Sequence, residues 1–209
     1  MTGERSIVPP RQARTRAAWD RVLESGVALL QSGGYEALTI GALCEAAAVT
    51  PPTIYARAGN KERLLLAIYE RAMERIGRDE RLHPSDERWE AMTPAELVRA
   101  AVGQIAHVWL ANAALLRPIV HRSVTDAEVR RRGSEASRDL AARFRAVLGR
   151  GDVRPRDADV CFRLTYAALV QRVMYGAGFE SDLPLDDESF TTALGDAVVR
   201  YLQIPEESP

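Results

Sequence analysis

The stretch Thr39–Leu65, TIGALCEAAAVTPPTIYARAGNKERLL, decides how this chain folds. Thr39 stands directly before an apolar run, where its hydroxyl can accept one of the unpaired N–H groups of a helix start. Ile40, Leu43 and Ala47 recur at i, i+3 and i+7, one face of a helix. That helix must stop near Ala48–Val49, because Thr50-Pro51-Pro52 cannot continue it and a residue before proline is pushed out of the α region. Thr50 is again placed as an N-cap, and Pro51 falls at the first helical position, where its missing N–H costs nothing. A second, short helix therefore starts at Thr50, passes through Ile54 and Tyr55 to about Arg57, and ends at Ala58-Gly59. Asn60 caps a third helix, striped by Leu64, Leu65, Ile68, Ala72 and Ile76.

Helix, tight turn, short hydroxyl-rich helix, capped helix: this is the order of parts in a helix-turn-helix DNA reader. The short helix carries Thr50, Pro51, Pro52, Thr53, Tyr55 and Arg57. Hydroxyls and a phenol near a helix N-terminus suit phosphate oxygens, aided by the exposed N–H groups and the helix dipole. An arginine further along suits a base edge or a phosphate.

These residues resemble the tetracycline-repressor (TetR) family of one-component bacterial regulators, over roughly Arg16 to Ile76. The pair Gly34-Tyr35 closes the first helix as in the family, and Thr39 caps the next. The signature turn Ala-Gly-Val-Ser stands here as Ala47-Ala48-Val49-Thr50, and the recognition-helix hallmark as Thr53-Ile54-Tyr55. The segment Asn60-Lys61-Glu62-Arg63-Leu64 matches the motif that follows. The resemblance implies that Thr53, Tyr55 and Lys61 touch DNA phosphates. It also implies a dimer, with the last two long helices of each subunit forming a four-helix interface. Two positions depart from the pattern: Ala48 replaces the turn glycine and Ala58 an anchoring phenylalanine. Arg57 stands where many relatives have an aromatic residue or histidine.

Lys61 is the only lysine in the chain, beside 27 arginines. Residues 1–12, with Gly3, Pro9 and Pro10 and no apolar period, read as a flexible N-terminal arm. Arg11, Arg14 and Arg16 could follow a phosphate backbone or enter a minor groove. Without an apolar leader-type segment, the expected location is cytoplasmic. Net charge is −1 over 209 residues, but residues 180–209 alone carry eight acidic side chains against one basic. That acidic end should point away from DNA. In the first helix, Val22, Leu23, Val27 and Leu30 form a core face, and Gly26 suits a close helix crossing.

Beyond about Leu82 the pattern is all helix. Thr93 caps a long apolar helix from Pro94 to about Leu116, which Arg117-Pro118 should break. Arg99, Gln104, His107 and Asn112 interrupt it, which favours a buried central helix over a membrane span. A short helix near 118–123 follows, then one from Asp126 to Leu148 capped by Thr125, then a turn at 149–156. Two further helices, about 157–176 and 186–203, carry surplus apolar surface and would pair two subunits. Gln104, His107, Trp109, Phe144 and Tyr166 are polar or aromatic groups within apolar helices, and so the candidates to line an effector pocket.

Cys44 and Cys161 are isolated, and His83, His107 and His121 belong to no metal or hydrolase motif. No cofactor, metal or catalytic residue is expected. The fold class is all-α: a helix-turn-helix DNA-binding domain over residues 13–60, then a larger helical ligand-binding and dimerisation domain over 61–205. The function expected is a sequence-specific transcriptional regulator, a ligand-released repressor acting as a homodimer on a near-palindromic double-stranded operator. Its effector would be an unnamed small molecule. The alternatives are an activator, a helical binding protein that no longer reads DNA, and an enzyme on a helical bundle, for which the sequence offers no convergent nucleophile or base.

Overall fold

The computed structural model describes residues 13–79, 82–179 and 181–205, and among these every regular element is helical. The expected arm at residues 1–12, Arg11 included, lies outside them, as does the side chain of Arg14. The chain divides into two compact units, one of residues 1–78 with 114–129 and the other of residues 79–113 with 130–209.

The first unit holds α1 (Ala13–Ala37), α2 (Ile40–Ala47), α3 (Pro51–Ala58) and most of α4 (Lys61–Asp79). Later in the chain α6 (Ala113–Ser123) joins them. The expected stripes are the core: Val22, Leu23, Val27 and Leu30 of α1 and Leu64, Ile68, Ala72 and Ile76 of α4 are buried, as are Leu115, Leu116 and Ile119 of α6. Gly26 is where α1 and α4 cross, because a Cβ there would lie 2.5 Å from Ile68 Cδ1. Close by, Arg71 of α4 donates to Asp20 at 2.7 Å and Glu24 at 2.8 Å, both on α1. The helical path of α1 breaks at Gly34 (φ 67, ψ −162), a conformation that side-chain-bearing residues rarely adopt. Tyr35 then turns in, with the Arg122 guanidinium 5.4 Å from its ring centroid.

The second unit is built on α5 (Pro94–Ala111), with most of α7 (Ala127–Leu148), α8 (Pro155–Tyr175) and α9 (Asp187–Tyr201). Thr93 and Glu96 close a reciprocal capping box at the start of α5. α5 is buried on several sides, from Leu97 and Val98 to Val108 and Trp109, and packs on both α8 and α9. Gly195 lets α9 approach the Arg99 backbone, 3.5 Å from where its Cβ would stand, and Arg99 Nε donates to Asp196 at 2.7 Å. Arg172 is buried on α8 and donates to Asp187 Oδ1 at 2.7 Å and to the Leu185 carbonyl at 2.7 Å. No helix among the described residues is long and apolar enough to cross a membrane.

Three local expectations are corrected. The long central helix ends at Ala111 rather than Leu116, since the Asn112 side chain donates to the Val108 carbonyl at 2.9 Å and so competes with the helix ladder. Pro118 lies inside α6 instead of breaking it. Asp126, not Thr125, caps α7: its Oδ1 accepts from the Glu128 and Val129 amides at 3.1 and 3.2 Å, while the Thr125 hydroxyl donates to the Arg122 carbonyl.

Two measurements test this packing. Ala48 sits in the left-handed region (φ 51, ψ 53). This region costs an alanine about 1–2 kcal/mol, so Ala48→Gly should raise the melting temperature by roughly 2–4 °C in a chain of this size; a lower melting temperature would refute strain at the turn. The Tyr35 hydroxyl is buried without a hydrogen-bond partner. Burial pushes its pKa from 10.0 up to about 12, against the opposing pull of Arg122. The unfolded phenol therefore ionises from pH 10 upward while the folded one stays neutral to about 12. Stability is unaffected below that window and falls within it, by about 1.4 kcal/mol per pH unit. Tyr35→Phe should match or exceed the wild type at pH 7 and lose less stability by pH 11, read by urea unfolding at both pH values.

Candidate nucleic-acid interface

The geometry of α3 follows from its two ends and one buried stripe. At the start of the preceding helix the Thr39 hydroxyl accepts from the Ala42 amide at 3.1 Å. At its end the Val49 amide reaches back to the Cys44 carbonyl at 3.1 Å, closing the turn around Ala48. Arg21 of α1 adds a support that nothing in the sequence announces: its Nε donates to the Ala47 carbonyl at 3.3 Å. Thr50 is extended (φ −97, ψ 154) as an N-cap residue must be, yet its hydroxyl lies 3.0 Å from the Thr53 hydroxyl instead of capping an amide. At the far end the Gly59 amide donates to the Tyr55 carbonyl at 2.8 Å, and Asn60 Oδ1 accepts from the Arg63 amide at 2.8 Å.

Ile54 and Ala58 are the inward stripe of α3, 0% and 2% exposed. With about 100° per residue, Pro52, Thr53 and Ala56 point away from it. Tyr55 and Arg57 flank it on opposite sides. Thr50, Pro51, Pro52, Thr53 and Lys61 are exposed, and Tyr55 is 44% exposed. Hydroxyls, a phenol and an ammonium thus stand along one short helix and the start of the next, all able to donate to phosphate oxygens. Arg57 differs: it is half-buried, and its Nε and Nη2 are shielded from solvent with no hydrogen-bond partner.

In the second unit, three of the pocket candidates lie in one aromatic cluster. Trp109 meets Tyr166 edge-on at 4.9 Å between centroids, Tyr166 lies 5.6 Å from Phe162, and Phe162 lies 5.8 Å from Phe144. The Ser137 hydroxyl donates to Tyr166 Oη at 2.7 Å. Phe162, Ser137 and the fully buried Thr165 are not among the pocket candidates drawn from the sequence. His107 is exposed and instead lines a cleft of about 460 Å³ with Gly103, Leu110, Asp187 and Thr191. Gln104 is half-buried on the same helix. Cys161 is buried, which pushes its thiol up to about 11, and no group of metal-ligating side chains occurs among the described residues.

Residues 22–68, which span the buried face of α1, all of α2 and α3 and the first part of α4, match the family model for bacterial regulatory proteins of the tetR family. Over these residues the chain is similar to that family. Solved structures share the whole fold. GusR of Salmonella enterica superposes with a TM-score of 0.66 at 18% identity, covering 93% of this chain and 100% of its own. A TetR-family transcriptional regulator from Rhodococcus sp. gives 0.64 at 12% identity, covering 88% and 98%. FadR of Bacillus subtilis, in complex with stearoyl-CoA, gives 0.55 at 16% identity, covering 88% and 97%. No curated protein sequence matches the chain.

Against the tetR-family pattern, the two departures now have a structural form. The family's turn glycine is replaced by an alanine that adopts the left-handed conformation nonetheless. The family's phenylalanine is replaced by Ala58, which is buried with only a methyl group to fill its place.

Proposed function

We propose that this chain is a homodimeric transcriptional regulator, a ligand-released repressor that reads a near-palindromic operator. Residues 13–60 read DNA, and residues 61–205 bind the effector and dimerise. One observation carries the reading: α3 is held by Ile54 and Ala58 while Thr50, Pro51, Pro52, Thr53 and Tyr55 face solvent, with Lys61 exposed just beyond. Thr39 serves this surface by capping α2 and stands ready for a phosphate itself. A scaffolded helix with donors on its outer face is what a major groove accepts.

A two-fold partner follows from the same logic. One recognition helix reads too few base pairs for useful selectivity, and two must lie about 34–36 Å apart to enter successive grooves. Leu164 and Tyr175 of α8 and Tyr201 of α9 are 51%, 59% and 46% exposed. Large apolar groups left on two neighbouring long helices suit a self-complementary interface. The cluster of Trp109, Phe144 and Tyr166 supports a site for an apolar or aromatic effector, with Gln104 and His107 as polar candidates on the same helix. The Bacillus structure with stearoyl-CoA supports a ligand role for this fold. Effector and operator would then oppose each other through a coupling of about 1–3 kcal/mol.

Selection of bound fragments from genomic DNA should return a near-palindromic site. Purified protein with no sequence-selective binding across a random duplex library would sink the reading. Tyr55→Phe and Lys61→Ala should weaken binding about equally on all sequences, and Lys61→Ala should lower the slope of log affinity against log salt by about 1; unchanged affinity would remove them from the phosphate contacts. The double variant Leu164→Asp, Tyr201→Asp should sediment as a monomer and lose preference for the palindrome over a half-site. A dimer of wild-type strength would move the interface elsewhere.

A further inference from the structure

Arg57 is the one recognition-helix side chain that the free protein holds in an unfavourable state. Two of its three guanidinium nitrogens, Nε and Nη2, are inaccessible to solvent and have no hydrogen-bond partner. A guanidinium cannot shed its charge to escape this, and a buried donor left unpaired is costly, more so when charged. Its position on the helix offers a way out. Arg57 lies seven residues after Thr50 and four after Thr53, on the stripe where those two hydroxyls are exposed. It also borders the buried stripe of Ile54 and Ala58. From one Cβ, a long flexible stem can lie inward along the apolar edge or outward along the hydroxyl stripe.

We propose that Arg57 is a stowed DNA reader: folded inward in the free protein, it swings out along the Thr50–Thr53 stripe when α3 meets DNA and donates its fork to a phosphate or to a guanine edge. The inference rests on the DNA-reading function proposed above. It adds that the contact at this position is not preformed, and that binding releases a desolvated charge which the free fold leaves unsatisfied. The planar fork suits either acceptor, since guanine O6 and N7 and two phosphate oxygens both accept it bidentately. Part of the affinity for the operator therefore comes from relief of the unbound state, not only from the new contact.

The test uses the full-length chain, a duplex selected by the wild type, and two variants. Arg57→Met keeps an unbranched stem without the donors. It should bind that duplex at least about tenfold more weakly and melt roughly 2–4 °C higher in the absence of DNA. Arg57→Lys keeps the charge but not the fork. If it retains most of the affinity, with losses uniform across base substitutions, the acceptor is a phosphate; if selectivity relaxes at a single base pair, the acceptor is guanine. Arg57→Met binding within about twofold of a selective wild type would overturn the inference, since a contact worth making costs more than that to lose. Weaker binding together with a lower melting temperature would also overturn it, because Arg57 would then be a structural support. A wild-type chain that selects no duplex would overturn the DNA reading, and with it this inference.

Discussion

The aim of α3 depends on the turn that carries it, and that turn depends on one alanine in the left-handed conformation. Ala48 must hold φ 51 for the Val49 amide to return to the Cys44 carbonyl, and this closure places Thr50 extended ahead of Pro51 and Pro52. From that start the register of α3 is determined: Ile54 and Ala58 go inward, the hydroxyls outward. A shift of one residue would rotate the helix by about 100° and bury polar groups. The unfavourable backbone at Ala48 is tolerated because α2 and α3 pack on each other and Arg21 holds the last turn of α2 from outside.

The helix-turn-helix was legible because its signals are local. Thr39, Pro51 and Asn60 act within one turn of their own positions, and the apolar stripe of α4 repeats along its length. Elsewhere neighbouring signals compete, and the backbone path decides between them. The sequence places the break at Arg117-Pro118, yet a proline in a helix removes one hydrogen bond, whereas Asn112 supplies a rival for the ladder. Asp126 and Thr125 stand side by side as possible caps, and only the backbone path decides that the carboxylate receives two amides.

Among the candidate residues, exposure was legible in the sequence and side-chain state was not. Thr50, Pro51, Pro52, Thr53, Tyr55 and Lys61 are exposed, as short polar groups and prolines at a helix start are expected to be. Arg57 is partly hidden, because the rotamer of a long side chain depends on what its neighbours leave open. Among the aromatic groups, distance along the chain concealed the cluster: Trp109 and Tyr166 lie on different helices and meet only after folding. Arg172 is hidden in the same way, since its burial is sustained by Asp187, supplied from the following helix.

The single lysine has a consequence of another kind. The chain offers one ε-amino group, at Lys61, in the first turn of α4. A protease that cuts only after lysine has one target in 209 residues, and cleavage there would part α1 to α3 from everything that follows. While that first turn is wound, with Asn60 holding the Arg63 amide, the peptide bond cannot adopt the extended form that a protease requires. Cleavage therefore proceeds only as fast as the turn opens, and the joint between α3 and α4 reports its own fraying as two fragments on a gel.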